Sequence, residues 1–148
     1  MRAREMAEEY PVTSLDSDAF EAARSLATHR MPGLVVTDRN GRPHSVLGAS
    51  QVVRFLVPRY VQDDPSLAGV VDEQFADRVA DKLTGRTVRD LLPDDPIELA
   101  VADADDTVVE VAAVMARTRC PLVAVIDHDK NIVGVITASR LLQRALGC

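Results

Sequence analysis

The chain has no tryptophan, and only three phenylalanines and two tyrosines. With so little to stack bases on, and no basic stretch with interleaved aromatics, direct nucleic-acid binding is not expected. Only two cysteines occur, Cys120 in the body and Cys148 as the last residue, so there is neither a disulfide framework nor a CxxC metal pair. Long hydrophobic runs are missing as well: none approaches the ~20 apolar residues that a membrane span requires. The opening Met1-Arg-Ala-Arg-Glu-Met-Ala-Glu-Glu9 is charged, with no apolar stretch behind it to serve as a secretory signal. A soluble protein of the cytoplasm is the expectation. Basic residues are outnumbered, 17 Lys and Arg against 23 Asp and Glu for a net charge of −6, so binding of a small anionic ligand would have to rest on local arginines. Catalytic sets are lacking too. The histidines are His29, His44 and His128, and no Ser/His/Asp or Cys/His set, GxGxxG, phosphate loop or metal spacing accompanies them. No enzyme is expected, with no catalytic and no metal-ligating residues.

What the chain does have is an internal repeat. Residues 12–51 laid on residues 101–140, a shift of 89 without a gap, match at 12 of 40 positions. The identities include Asp16/Asp105, Arg30/Arg119, Pro32/Pro121, Asp38/Asp127, Val46/Val135 and Ser50/Ser139. Chance in a chain this rich in Ala, Val and Asp gives roughly three, so duplication explains the match better than composition does. Two such halves can build one joint core, because a chain of 148 residues buries about 70% of its unfolded surface.

Each half reads as strand, helix, strand, strand, helix. In the first, Val12–Leu15 is a short strand and Asp16-Ser-Asp18 offers helix caps. Phe20, Ala23, Leu26 and Ala27 then fall at helical spacing, and Pro32 ends that helix near Arg30. Leu34–Thr37 and His44–Leu47 are strands around an Asp38–Gly41 turn, and a helix runs from Ser50 to Val57. In the second half, Val101–Ala104 is the short strand, Asp105-Asp-Thr107 the cap, and Val108, Val111, Ala112, Met115 and Ala116 the apolar helix face. Leu122–Ile126 and Ile132–Ile136 are continuous apolar runs, which predict strands covered on both faces. Ser139 is the expected cap of a last helix carrying Leu141, Leu142, Ala145 and Leu146.

Between the halves, residues 59–85 are too long for a plain connection. Val71, Phe75, Val79 and Leu83 recur every fourth position, predicting an amphipathic helix over 66–83 that Gly85 ends. It reads either as a linker helix packed on its own module or as a docking helix for a partner protein. Thr87–Leu92 opens the second half as a short helix, and residues 2–9 are its candidate counterpart. The resulting division is 1–58, 59–85 and 86–148.

The stretch Cys120-Pro-Leu-Val-Ala-Val-Ile-Asp-His-Asp-Lys-Asn-Ile-Val-Gly-Val-Ile-Thr-Ala-Ser-Arg-Leu-Leu142 resembles the CBS domain, the repeat named after cystathionine β-synthase. Its pattern is an apolar strand, an Asp-led turn, an apolar strand ending Gly-x-Ile-Thr, and a helix. Met31–Val53 resembles a weaker copy. Together the two are similar to a tandem CBS pair, or Bateman module, covering nearly the whole chain outside 59–85. The resemblance implies an α/β (α+β) fold of two pseudo-symmetric β-α-β-β-α repeats packed through their sheets, with an extra helix in the inter-repeat linker. It also implies a non-catalytic regulatory module that binds an adenosine-containing ligand (AMP, ADP, ATP or S-adenosylmethionine) or a related phosphate ligand between the repeats and modulates a separate protein. The alternative is a ligand-free interaction or scaffold protein with degenerate clefts.

In the family pattern a Thr or Ser ending the third strand, and an Asp three residues on, meet phosphate and ribose. Here those positions are Thr137 and Arg140 in the second repeat, and Gly48 and Gln51 in the first. Both carboxylates are thus replaced. The resemblance implies one preferred cleft with Thr137, Ser139, Arg140, Val12, Thr13, Met31 and Pro32, and a second, degenerate one with Ser50, Gln51, Val101, Ala102, Cys120 and Pro121. Arg140 can meet a phosphate with its fork of donors. It can equally be a solvated helix residue in a surface pair. Asp94, Asp95, Asp103, Asp105 and Asp106 read as caps and loop residues rather than as cation ligands. Pairs of this kind commonly form homodimers through their helices, for which Phe20, Leu26, Val53, Val111, Met115 and Leu142 are candidate contacts alongside their use in the core.

Overall fold

Both repeats take the order that their periodicities predict. The computed structural model of the chain describes residues 1–30, 33–66 and 75–147. In chain order the elements are α1 (Ala3–Met6), β1 (Val12–Ser14), α2 (Ala19–His29), β2 (Gly33–Thr37), β3 (Pro43–Gly48), α3 (Ala49–Leu56), α4 (Arg59–Asp63) and α5 (Phe75–Leu83). There follow α6 (Val88–Leu91), β4 (Ile97–Glu98), β5 (Ala100–Asp103), α7 (Val108–Thr118), β6 (Leu122–Ile126), β7 (Ile132–Thr137) and α8 (Ala138–Leu146). One sheet has the order β1-β2-β3-β4 and the other β5-β6-β7. β5 runs parallel to β6, and β6 antiparallel to β7.

Several repeat identities have a local cause. Asp38 accepts from the backbone N–H of Asn40 and Arg42 at 2.8 and 3.0 Å, and Asp127 from Asp129 and Asn131 at 2.9 and 3.0 Å. The carboxylate thereby shapes both β-turns. Arg30 and Arg119, also 89 apart, end α2 and α7 in the left-handed region with φ of 50° and 54°. α2 is capped by Asp18 and α7 by Thr107, as the sequence suggests.

Three features depart from the expectation, and a fourth is described only in part. α4 and β4 fill parts of 59–66 and 93–99 that carry no periodic signal, since a helix of five residues and a strand of two are shorter than one hydrophobic period can mark. Of the helix expected over 66–83, Phe75–Leu83 is α5; residues 67–74 lie outside the described residues. β6 is buried along its whole length, but β7 leaves Val133 51% exposed where it borders two open cavities. Finally, the cap of α8 is Thr137 rather than Ser139, which lies inside the helix.

The short leading helices are exchanged between repeats. α1 docks on the β5–α7 junction through Ala3 N–H to Asp106 O (2.7 Å) and Arg4 N–H to Ala104 O (3.0 Å). α6 docks on the β1–α2 junction through Val88 N–H to Ser17 O (2.9 Å) and Arg89 N–H to Leu15 O (3.0 Å). Ion pairs repeat the theme: Arg4 with Asp105, and Arg89 with Asp16 at 3.5 Å. The identity Asp16/Asp105 therefore serves a partner that lies in the other repeat's sequence. The expected counterpart of the 87–92 helix is real, offset by 85 residues rather than 89.

This exchange sets the division into two compact units, Met1–Val12 with Val35–Val46 and Ile97–Cys148, and Thr13–Leu34 with Leu47–Pro96. The first unit has a continuous core that includes Ala3, Met6, Val35, Val46, Val111, Leu122, Val123, Val125 and Ile136. The second buries Leu15, Ala22, Leu26, Leu34, Leu47, Val52, Leu83, Val88 and Leu91.

Candidate functional site

In the first unit, β7 hands directly over to α8, and the junction collects the polar groups singled out by the sequence. Thr137 Oγ1 accepts the Arg140 backbone N–H at 3.1 Å, and the Ala138 N–H donates to the Pro121 carbonyl at 2.9 Å. Two of the first backbone donors of α8 are thus committed, which orients its opening turn. Ser139 is exposed in that turn. The Arg140 side chain is 26% exposed, and its Nε lies 3.6 Å from Oε1 of Glu8, whose side chain is 48% exposed. That separation is an ion pair but not a hydrogen bond, and Nε is buried with no hydrogen-bond partner among the described residues.

Glu8 was not a sequence candidate. Its backbone pairs with the edge of β7, N–H to Val135 O at 2.9 Å and O from Val135 N–H at 3.0 Å. The neighbouring close approach requires Gly134, where a Cβ would stand 2.8 Å from Ala7 Cβ and 3.1 Å from Glu8 O. Nothing in the spacing marks this contact, which joins residues more than 120 apart in the chain.

The remaining candidates differ in burial. Val12 is 46% exposed in the same unit; Thr13 is partly buried in the other; Met31 and Pro32 lie outside the described residues. Of the second set, Ser50 is exposed and Gln51 partly buried near the start of α3, whose cap residue Gly48 offers no side chain. Val101 is 37% exposed, Pro121 is exposed and gives its carbonyl to Ala138, and Ala102 and Cys120 are core residues at 3% and 2%. A short alternating strand buries every second side chain, which is why Ala102 points into the core while Val101 does not.

The first unit also holds two open cavities. One of about 640 Å³ is bordered by Arg4, Asp103, Asp105, Asp106, Asp127 and His128, and three of its four acids are already in use. Asp105 pairs with Arg4, Asp106 accepts from Asp103 N–H, and Asp127 holds its turn. Among the described residues no group of His, Cys, Asp and Glu is arranged for a metal ion. The other cavity, about 780 Å³, is lined by Glu9, Tyr10, Val12, Thr37, Ile132 and Val133, and burial raises the Tyr10 phenol above its ordinary pKa. In the second unit α2, α3 and α5 enclose an apolar groove of about 430 Å³ lined by Phe20, Leu26, Val53, Val79 and Leu83.

A family model for the CBS domain matches residues 88–147. Over 99% of both chains, this one is 65% identical to a CBS domain-containing protein of unknown function from Kribbella flavida, whose crystal structure superposes with a TM-score of 0.95. The chain belongs to the CBS-domain proteins. Its mixed α+β architecture with two sheets is that of a CBS pair. Other CBS proteins share the fold at lower identity. CBSX2, a CBS-pair protein from Arabidopsis thaliana, solved in complex with AMP, is 17% identical with a TM-score of 0.67, covering 99% of this chain and 96% of that one. By sequence alone, the chain is also 21% identical to an uncharacterized protein of Methanocaldococcus jannaschii, over 86% of this chain and 81% of that protein's length. Among the described residues no helix of this CBS pair is long and apolar enough to cross a membrane.

Proposed function

We propose that this CBS pair is a non-catalytic regulatory module of the cytoplasm that binds a phosphate-bearing, adenosine-containing ligand with Thr137, Ser139 and Arg140 and thereby alters a partner protein. The observation that carries the reading is Arg140. A cation in the first turn of a helix opposes the helix dipole and calls for an anion beside it; Glu8, 3.6 Å from Nε, supplies the charge but no hydrogen bond. The buried Arg140 Nε has no hydrogen-bond acceptor among the described residues, and a phosphate supplies several at once in the geometry that a guanidinium fits. The Thr137 and Ser139 hydroxyls lie in the same turn. The AMP complex of CBSX2 supports the ligand class.

The test is thermal unfolding with AMP, ADP, ATP and S-adenosylmethionine. A ligand at 100 times its dissociation constant adds about 2.7 kcal/mol, a rise in midpoint of about 5–10 °C for a domain of this size. A panel in which nothing moves the midpoint would sink the sensor reading.

A second reading, a ligand-free interaction protein, is favoured by the apolar groove of the second unit. The exposed Val53, Leu142 and Leu146 suit contact with a second copy of the chain, at 57%, 56% and 71% exposure. Leu26, Val111 and Met115 do not, being 4%, 0% and 9% exposed.

A further inference from the structure

Arg140 already faces an anion within its own chain. The Glu8 carboxylate that stands 3.6 Å from its Nε is carried on a backbone fixed at three places. Glu8 exchanges both backbone hydrogen bonds with Val135, Gly134 admits the leader at van der Waals range, and α1 is tied to Asp106 and Ala104. The fold therefore delivers this carboxylate to the guanidinium. The corresponding place in the first repeat carries no charge. At the same spacing of 89, Arg140 becomes Gln51 and Glu8 becomes Ile97, and Ile97 pairs with Val46 as Glu8 pairs with Val135. The ion pair is thus confined to the half that keeps Thr137.

We infer that Glu8 is a built-in competitor, a carboxylate that holds the cationic face of Arg140 until a phosphate-bearing ligand displaces it. This rests on the reading of Arg140 as a phosphate contact. A phosphate within reach of the guanidinium lies close to the Glu8 carboxylate, and like charges so near in a partly buried place repel. The Glu8 side chain, 48% exposed, has solvent to swing into while its backbone stays on β7. Glu8 accordingly sets the threshold at which the site fills and penalises anionic ligands while leaving neutral ones unaffected.

Glu8→Gln keeps the shape and the backbone pairing and removes the charge. Calorimetric titration of AMP and of adenosine into both proteins reads the effect. AMP affinity rises about tenfold in the variant, a typical coupling between interacting groups, while adenosine changes by less than about twofold. If AMP binds both proteins equally, or adenosine gains by the same factor, the competition is overturned and the phosphate reading survives. If neither protein binds AMP, ADP or ATP, the phosphate reading falls and takes the competition with it. Glu8→Ala gives the same comparison should the glutamine variant not fold.

Discussion

Replacing Gly134 by alanine tests the leader docking, on which the placement of Glu8 depends. The added Cβ meets Ala7 Cβ at 2.8 Å and Glu8 O at 3.1 Å, and neither atom is at the end of a flexible side chain. At an unhindered position the same change stabilises by about 0.4–1 kcal/mol through the unfolded chain. Here overpacking costs about 1–3 kcal/mol. If the leader lifts to relieve it, the two hydrogen bonds between Glu8 and Val135 go, at about 1 kcal/mol each. The net expectation is a loss of about 2 kcal/mol, or a midpoint lower by roughly 4–8 °C. Urea unfolding measures it, and hydrogen exchange at the Glu8 amide reports whether the leader has lifted. Adding Ala7→Gly removes the nearer contact and restores part of the loss, an interaction that a double-mutant cycle isolates. A Gly134→Ala protein as stable as the parent, or a double variant with no recovery, would refute the steric argument. The first repeat offers a control: Ser45 takes the place of Gly134, is fully buried, and pairs across β3 and β4 with Glu98.

Three further outcomes follow from the same geometry. Lys130 holds a φ of 68° where the first repeat has Gly41 at 78°; Lys130→Gly should raise stability by up to about 1 kcal/mol in urea, and Gly41→Ala should lower it by a similar amount. Burial raises the Tyr10 pKa above 10, so its contribution is complete below the unfolded value and is lost as pH rises through the raised one. The alkaline fall in stability should be shallower in Tyr10→Phe, and identical slopes above pH 10 would contradict the burial argument. Leu142 is 56% exposed, so Leu142→Glu should change stability by less than about 0.5 kcal/mol. If α8 meets a second copy, sedimentation of that variant shifts toward monomer; an unchanged mass removes α8 from the interface.

The repeat was legible in part because several of its shared residues do local work. Asp38 and Asp127 reach backbone N–H groups two and four residues on, and Arg30 and Arg119 end their helices. Contacts within five residues leave a mark at a fixed spacing. The leader exchange was harder to see because Ala3-Arg-Glu-Met6 and Val88-Arg-Asp-Leu91 sit 85 apart, out of step with the 89 of the repeats. The partners of Arg4 and Arg89 lie at remote positions, Asp105 and Asp16. No periodicity encodes such a pairing.

The candidate site divides in the same way. That Thr137 and Arg140 occupy the positions of interest was implied by the resemblance to the CBS domain, and that Gly48 and Gln51 replace them in the first repeat was readable from the aligned halves. That Thr137 and not Ser139 caps α8, that Ala102 and Cys120 face the core, and that Glu8 stands beside Arg140 was not. By itself the sequence determined the duplicated order of elements, because burial of alternating and helical apolar faces acts over a few residues. Only the tertiary structure decided which charge meets Arg140, because that depends on a leader folding back across the edge of β7 from the far end of the chain.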